Sequence, residues 1–373
     1  MSGSTGGQKS SRPIKALIFK FVASSMLLLV FFAALHGPLP FIGKAGAQSR
    51  SEPAFPTRKF RVCPRSNDRP GCDYTSISRA MDAARDGDVV TLRPGIYEDG
   101  AIVRASGLTI RAEAGAHMHG GVTDGKAALV VKGDNTTIEG LECSEISVGS
   151  NGACIRLEGR NLVLRHVYFH NSEMGILSGI GRGQVIIEDS RFEDMHGAAG
   201  TLGHSIYIGK VDLLVFRRNQ VLRTAGQGHG VKSRARKTVI EGNIIASLGA
   251  PQSRAIDIPN GGQAIIRQNV IEQGPGADNN DLIGIALEDG LHADVDHSTA
   301  IRENIVICDR PSCVLVRENS PGAILVSANR FVGPLEITAA EARPVEVVEN
   351  NSSWPTREAA GLAPFPALPT GAN

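Results

Sequence analysis

A short apolar element recurs seven times between Val163 and Phe331, about once every 25 residues, and that recurrence limits the chain to a winding architecture. The copies begin at Val163, Ile186, Val215, Ile240, Ile266, Ile301 and Leu325. Asn219, Asn243, Asn269, Asn304 and Asn329 hold one place in five of them, and His166 and Asp189 are read into that place in the two earlier copies. Stacked about 4.8 Å apart at a turn, such side chains satisfy one another and the neighbouring backbone, so an asparagine ladder is expected.

A second strand register lies between these copies. Its inward column is read as Ile155, Ile176, Ile206, Val231, Ile256 and Ile285, whose spacing varies around the same period. Coils of nearly constant length with loops inserted at the corners produce such spacings, whereas a sandwich of hairpins needs Asn-Gly or Asp-Gly turns that are largely missing. The apolar runs are β-branched and alternate with period two, which excludes a helical repeat. The chain has 43 glycines and only 5% aromatic residues, a composition suited to a core of Val, Ile and Leu. One helix is expected from Ser76 to Arg85, with Ile77, Ala80, Met81 and Ala84 on one face, where it would cap the open end of the solenoid.

The ends read differently. Lys9, Arg12, Lys15 and Lys20 precede an apolar run from Phe21 to Leu35, and Ala45-Gly46-Ala47 offers small residues for cleavage, so residues 1–47 read as a signal peptide or signal anchor. Residues 48–73 read as a linker with a disulfide loop, 74–335 as the solenoid, and 336–373 as a C-terminal cap and tail, loose from Glu358. Trp354 is expected beyond the last coil, covering the end of the core. Cys63 with Cys72 and Cys308 with Cys313 read as bridges, and Cys143 with Cys154 as either a bridge or two buried thiols. Export to the periplasm, the cell envelope or the medium follows, with membrane contact only through the N-terminal segment and the solenoid itself a monomer. A net charge of +1, from 39 basic and 38 acidic residues, gives no surplus for binding nucleic acid.

The stretch Tyr74-Thr-Ser-Ile-Ser-Arg-Ala-Met-Asp-Ala-Ala-Arg-Asp-Gly-Asp-Val-Val-Thr-Leu-Arg-Pro-Gly-Ile-Tyr, with the repeats after it, resembles the opening of pectate-lyase-like proteins. That resemblance implies an all-β, single-stranded right-handed parallel β-helix, in a superfamily that spans lyases, hydrolases, epimerases and adhesins. Lys232-Ser233 followed by the turn at Asn243 is similar to the chondroitinase B and alginate lyase group. This second resemblance implies Lys232 as general base, an assisting arginine one coil later, and calcium held by carboxylates. Ile258 stands at the arginine position, and Ala225 and Gln227 stand at the calcium positions, so no cofactor is expected and Arg254 is the substitute for the arginine.

Stacking gives an outward file of Arg156, Leu177, Tyr207, Lys232, Asp257 and Ala286. Two positions before the inward column stand His204, His229 and Arg254, at the corner where the strand begins. Removing the proton beside a uronate carboxylate needs a base and cations to hold the developing charge. Lys232, crowded by His229, Arg254 and Arg234, has the character of that base. Arg254 and His229 then stabilise charge, Tyr207 or His204 protonates the leaving oxygen, and Arg234, Asp257, Arg156 and Glu288 bind substrate. The expected partner is an acidic polysaccharide and the expected activity that of a lyase or C5 epimerase, in a groove walled by loops 196–202 and 274–281. Hydrolysis by the pair Asp257 and Glu288 ranks behind it, and a non-catalytic polysaccharide-binding scaffold is the competing class. No metal site is expected, because no four ligands cluster at zinc-like spacing; His117, His119, His292 and His297 read as corner or loop residues.

Overall fold

The computed structural model describes residues 56–65, 71–179, 181–198, 201–338 and 347–362. The expected signal segment and the last eleven residues of the tail lie outside them. Each coil contributes one short strand to each of three parallel sheets, which hold twelve, eleven and ten strands among the described residues. The coil starting at Leu162 is typical: Leu162–Arg165 enters the first sheet, Tyr168–His170 the second and Met174–Ser178 the third. Pairing joins each strand to its equivalents one coil away, as Leu164 with Ile138 and Ile187. Inward positions of all three sheets merge into one continuous core that includes Ile155, Phe169, Ile187 and Ile256.

The solenoid is longer than its sequence repeat. Lys59–Val62 pairs in parallel with Val89–Leu92, inside the expected linker, and Val347–Glu349 and Ser352–Trp354 extend the first and second sheets. Strands of three or four residues are too brief to declare a period. Trp354 therefore belongs to a coil instead of standing beyond it; it packs outside the core with Ile307, Val332 and Ala360, under the Arg330 guanidinium at 4.9 Å. Glu358 begins a turn that Ala360 anchors to this cluster.

The helix spans Ile77–Ala83, with Ser76 accepting the Arg79 N–H as its N-cap. Its buried Ile77, Ala80 and Met81 join the core beside the terminal strand of the third sheet, Ala101–Val103. All three cysteine pairs, including Cys143–Cys154, are bridged, as suits an oxidising compartment. Among the described residues no helix is long and apolar enough to cross a membrane.

The ladder runs from Asn219 to Asn351. In each step an asparagine Oδ1 accepts both the backbone N–H and the Nδ2–H of the preceding member, at 2.9 Å each between Asn243 and Asn269. Each buried Nδ2 also donates to a carbonyl of an earlier coil, as Asn269 to Ile240 at 3.0 Å. Upstream the ladder continues in Ser190, whose N–H reaches Asn219 Oδ1 at 3.0 Å, and not in His166 or Asp189. Those two occupy the position one residue earlier, a left-handed turn shared with Arg218, Gln268 and Glu303 at φ between 51° and 59°.

The third sheet corrects a register. Ile256 pairs with Ile283, so the inward column is Ile155, Ile176, Ile206, Val231, Ile256 and Ile283, and Gly284 instead of Ala286 follows Asp257 in the outward file. Ile283 and Ile285 both face inward, so apolar alternation alone does not distinguish them. His117 and His119 are also displaced from expectation: they lie on a strand of the second sheet, Ala116–His119, pointing outward on either side of buried Met118. His292 and His297 do lie in a loop, where His292 Nε2 meets the Arg234 carbonyl at 3.0 Å and His297 Nε2 the His292 carbonyl at 2.9 Å.

Candidate active site

Tyr207, Lys232 and Asp257 are direct neighbours on three successive strands of the third sheet. Beside them the corner column reads His204, His229, Arg254 and then Asp281. The Lys232 side chain is only 7% exposed, and its Nζ lies 3.2 Å from Asp257 Oδ2 and 2.5 Å from Glu288 Oε1. The expected crowding of Lys232 by cations is thus replaced by contact with two carboxylates. Glu288 arrives from the segment 286–297 that follows the third-sheet strand Asp281–Ile285, and its other oxygen accepts from Arg234. Arg234 also donates to the Tyr207 hydroxyl at 2.9 Å and to Asn260 Oδ1 at 2.7 Å. Segment 286–297 therefore stands over this face, held by Asn260 Nδ2 donating to the Asp289 and Gly290 carbonyls at 2.9 Å each.

The histidines are neutral at ordinary pH. His204 Nδ1 accepts the His229 N–H at 2.9 Å, and His229 Nδ1 accepts the Arg254 N–H at 3.2 Å, which leaves the proton of each ring on Nε2. Burial pushes His204 down to about 3 and His229 down to about 2, and nearby positive groups add to both shifts. His229 Nε2 faces Asp257 Oδ2 at 3.4 Å, so it orients that carboxylate and does not act as a cation. His204 stacks on His229 with ring centroids 5.2 Å apart and holds no imidazolium proton to give. Arg254 is likewise occupied, by buried Asp281, which also meets Arg317 at 3.4 Å. Arg234, and not Arg254, is the arginine joined to the Lys232 cluster, through their shared partner Glu288.

The two carboxyls diverge. Burial pushes Asp257 up, more than the charges of Lys232 and Arg254 pull it down. Burial alone would raise Glu288 too, but hydrogen bonds from Lys232 and Arg234 outweigh it and hold that carboxyl below its usual range. Gly284 completes the floor, since a Cβ there would lie 2.8 Å from Asp257 Oδ1 and 3.0 Å from Arg254 Cδ. Arg156 stands three windings before Lys232, roughly 14 Å away at about 4.8 Å per coil, and does not join the cluster.

Residues 109–271, which supply most of this cluster's coils, match the family model described as a right handed beta helix region. The chain is a right-handed parallel β-helix. A GH136 lacto-N-biosidase from Eubacterium ramulus shares this coil, with a TM-score of 0.52 and 13% identity over 79% of this chain and 68% of that one. An alginate lyase from Paenibacillus sp. str. FPU-7 gives 0.48 and 15% over 80% and 99% of the two chains. Pectate lyase Pel9A gives 0.49 and 16% over 81% and 78%. Likeness of this degree speaks to the fold alone. No curated protein matches the sequence.

In this β-helix the calcium implied by the sequence resemblance does not fit. Asp257 and Glu288, the carboxylates nearest Lys232, are spent on Lys232 and Arg234, and Ala225 and Gln227 offer no carboxylate. Gly284 and Asn260 are the residues sequence reasoning left out of the site, and Asp281, expected only at the end of the 274–281 loop, enters it as the partner of Arg254. Asp281 was legible as the next member of the corner column once Ile283 is placed inward; Asn260 carried no signal beyond lying one coil after Arg234, its hydrogen-bond partner.

Proposed function

We propose that the protein is a carbohydrate-active β-helix that removes the proton beside the carboxylate of a uronate residue in an acidic polysaccharide, as a lyase or a C5 epimerase. The observation that carries this reading is the Glu288 carboxylate held between Lys232 and Arg234. Glu288 is 42% exposed, on a loop, whereas the cations that hold it are largely buried, so a two-cation slot is filled by a side chain that a sugar carboxylate can displace. With a uronate in that slot, Arg234 neutralises the carboxylate as the C5–H bond breaks. A proton passed from Lys232 to Asp257, whose acid form burial favours, frees the amine to take the C5 proton. In elimination the C4–C5 double bond forms, the C4–O bond breaks, and Tyr207 protonates the leaving oxygen; in epimerisation a proton returns to C5 from the opposite face.

Incubating the protein with alginate, pectate and glycosaminoglycans tests this. Ultraviolet absorbance of unsaturated uronides marks elimination, and deuterium entering C5 in heavy water marks epimerisation. Absence of both signals on every one of these uronate polymers overturns the reading.

One observation favours a second reading. Asp257 and Glu288 flank Lys232 with pKa values pushed in opposite directions, the division of labour that glycoside hydrolysis requires of its acid and its base or nucleophile. Hydrolysis would release saturated ends without an absorbance change.

A further inference from the structure

On the second sheet, well away from Lys232, the winding stacks a different set of side chains. His117 pairs with Glu142, and His119 with Ser144 and then His170, so that Met118, Cys143 and Phe169 point into the core while the imidazoles and carboxylate point out. His170 Nε2 lies 3.3 Å from Glu142 Oε1 and His117 Nδ1 lies 3.8 Å from the same oxygen. All three atoms fall within 4.8 Å of one another. Bonds of about 2.0–2.1 Å in a tetrahedron require ligand atoms about 3.4 Å apart, so these groups need little movement to close on one ion.

The surrounding hydrogen bonds aim the lone pairs at that point. His170 Nδ1 is 2.8 Å from Asn171 Oδ1, an acceptor, so Nδ1 carries a proton and Nε2 is the nitrogen turned to Glu142 Oε1, at 3.3 Å. Ser144 Oγ touches His117 Nε2 at 2.8 Å and His119 Nδ1 at 3.1 Å, and one hydroxyl has one proton to give. In the tautomer with His117 Nε2–H donating to Ser144 and Ser144 donating to His119, His117 Nδ1 is left to ligate a metal. Tyr168 stacks on His170 at 4.4 Å and fixes the ring plane. A metal ion set among the two imidazole nitrogens and the carboxylate would take the place of the proton that otherwise joins His170 Nε2 to Glu142 Oε1.

We infer that His117, Glu142 and His170 form a binding site for a first-row divalent transition metal, zinc being the model ligand, with a remaining position open to solvent. Two nitrogens and one carboxylate oxygen suit zinc and its neighbours better than calcium or magnesium, which prefer all-oxygen shells. Side chains 19%, 34% and 18% exposed give an ion a way in. Linear motifs do not reveal the set, because each ligand stands a full coil from the next, on successive strands of one sheet.

Tag-free full-length protein, stripped of metal, is titrated with zinc alone by calorimetry and with cobalt by visible absorption. One equivalent should bind with a micromolar or tighter Kd, cobalt should show the intense bands of four-coordination, and His170→Gln and Glu142→Gln should each weaken zinc at least tenfold. Asn171→Ala, which leaves every ligand in place, should weaken it by a smaller factor, about tenfold or less. Because these side chains lie outside the core, the metal-free variants should melt with the wild type, and zinc should raise the melting temperature of the wild type alone. Absence of stoichiometric binding, or binding unchanged in His117→Gln/His170→Gln, overturns the site.

Discussion

If Glu288 occupies the place of a substrate carboxylate, removing it should improve binding. In Glu288→Ala the slot between Lys232 and Arg234 is vacated while segment 286–297 stays in place. Asn260 still holds the carbonyls of Asp289 and Gly290, and Arg236 still meets Asp294 at 2.7 Å. Before a uronate can bind, the wild type must break two ion pairs made by a carboxylate 42% exposed, each worth about 0.2–1 kcal/mol. Their sum, about 0.4–2 kcal/mol, corresponds to roughly a 2- to 30-fold tighter Kd in the variant. Calorimetry with a short oligouronide at low ionic strength reads it, and the gain should shrink with added salt as the cations are screened. A neutral oligosaccharide of equal length should gain nothing. Unchanged or weaker binding of the oligouronide would show that Lys232 and Arg234 do not form a carboxylate slot. Turnover separates the two chemistries as well, since elimination survives the loss of Glu288 and hydrolysis by the Asp257 and Glu288 pair does not.

Lys232→Ala should lower turnover by about 10²–10⁴-fold and cost about 3 kcal/mol in urea unfolding, because Asp257, 2% exposed, is left without its cation; Lys232→Met with Asp257→Leu should recover the stability but not the activity. Asn269→Ala should cost about 2–4 kcal/mol by orphaning the Asn243 N–H and the Ile240 carbonyl, against about 1 kcal/mol or less for the outermost Asn351→Ala; equal costs would mean the ladder is not cooperative. Below pH 6.5 the unfolded chain protonates His204 and His229 while the fold refuses the protons down to about 3 and about 2, so this contribution to stability is present above pH 6.5 and lost as pH falls toward those values. Asp257, pushed up, acts with the opposite sign, so the test is the difference between wild type and His204→Gln: urea midpoints at pH 7 and pH 5 should fall less in the variant.

The coil was legible because its signal is local and repeated. Asparagines with β-branched neighbours, recurring once per winding, have few other ways to satisfy their amides. What escaped were quantities fixed by a single corner. A loop between Gln273 and Asp281 hides whether Ile283 or Ile285 faces Ile256, since both are inward, and the two-residue slip put Ala286 where Gly284 stands. The His166 and Asp189 assignments slipped by one for a similar reason. A left-handed turn residue precedes each ladder position, and polar side chains suit both places.

The site was half legible, and the division has a physical origin. Side chains fixed by register, such as Tyr207, Lys232 and Asp257, follow from counting coils. Their charge states do not, because those depend on groups delivered from outside the file. Glu288 enters from a loop two coils beyond Lys232, and Asp281 claims Arg254 through a column that the register slip had broken. The histidines show the same limit. Sequence places them beside Lys232, but only their burial and the backbone N–H groups donating to Nδ1 make them neutral. A stacked file therefore specifies which residues meet, while the loops that close over it decide which of them remain free to meet a substrate. That ordering makes segment 286–297, more than the strands beneath it, the part of this β-helix where exchange of a few residues should change the ligand without disturbing the fold.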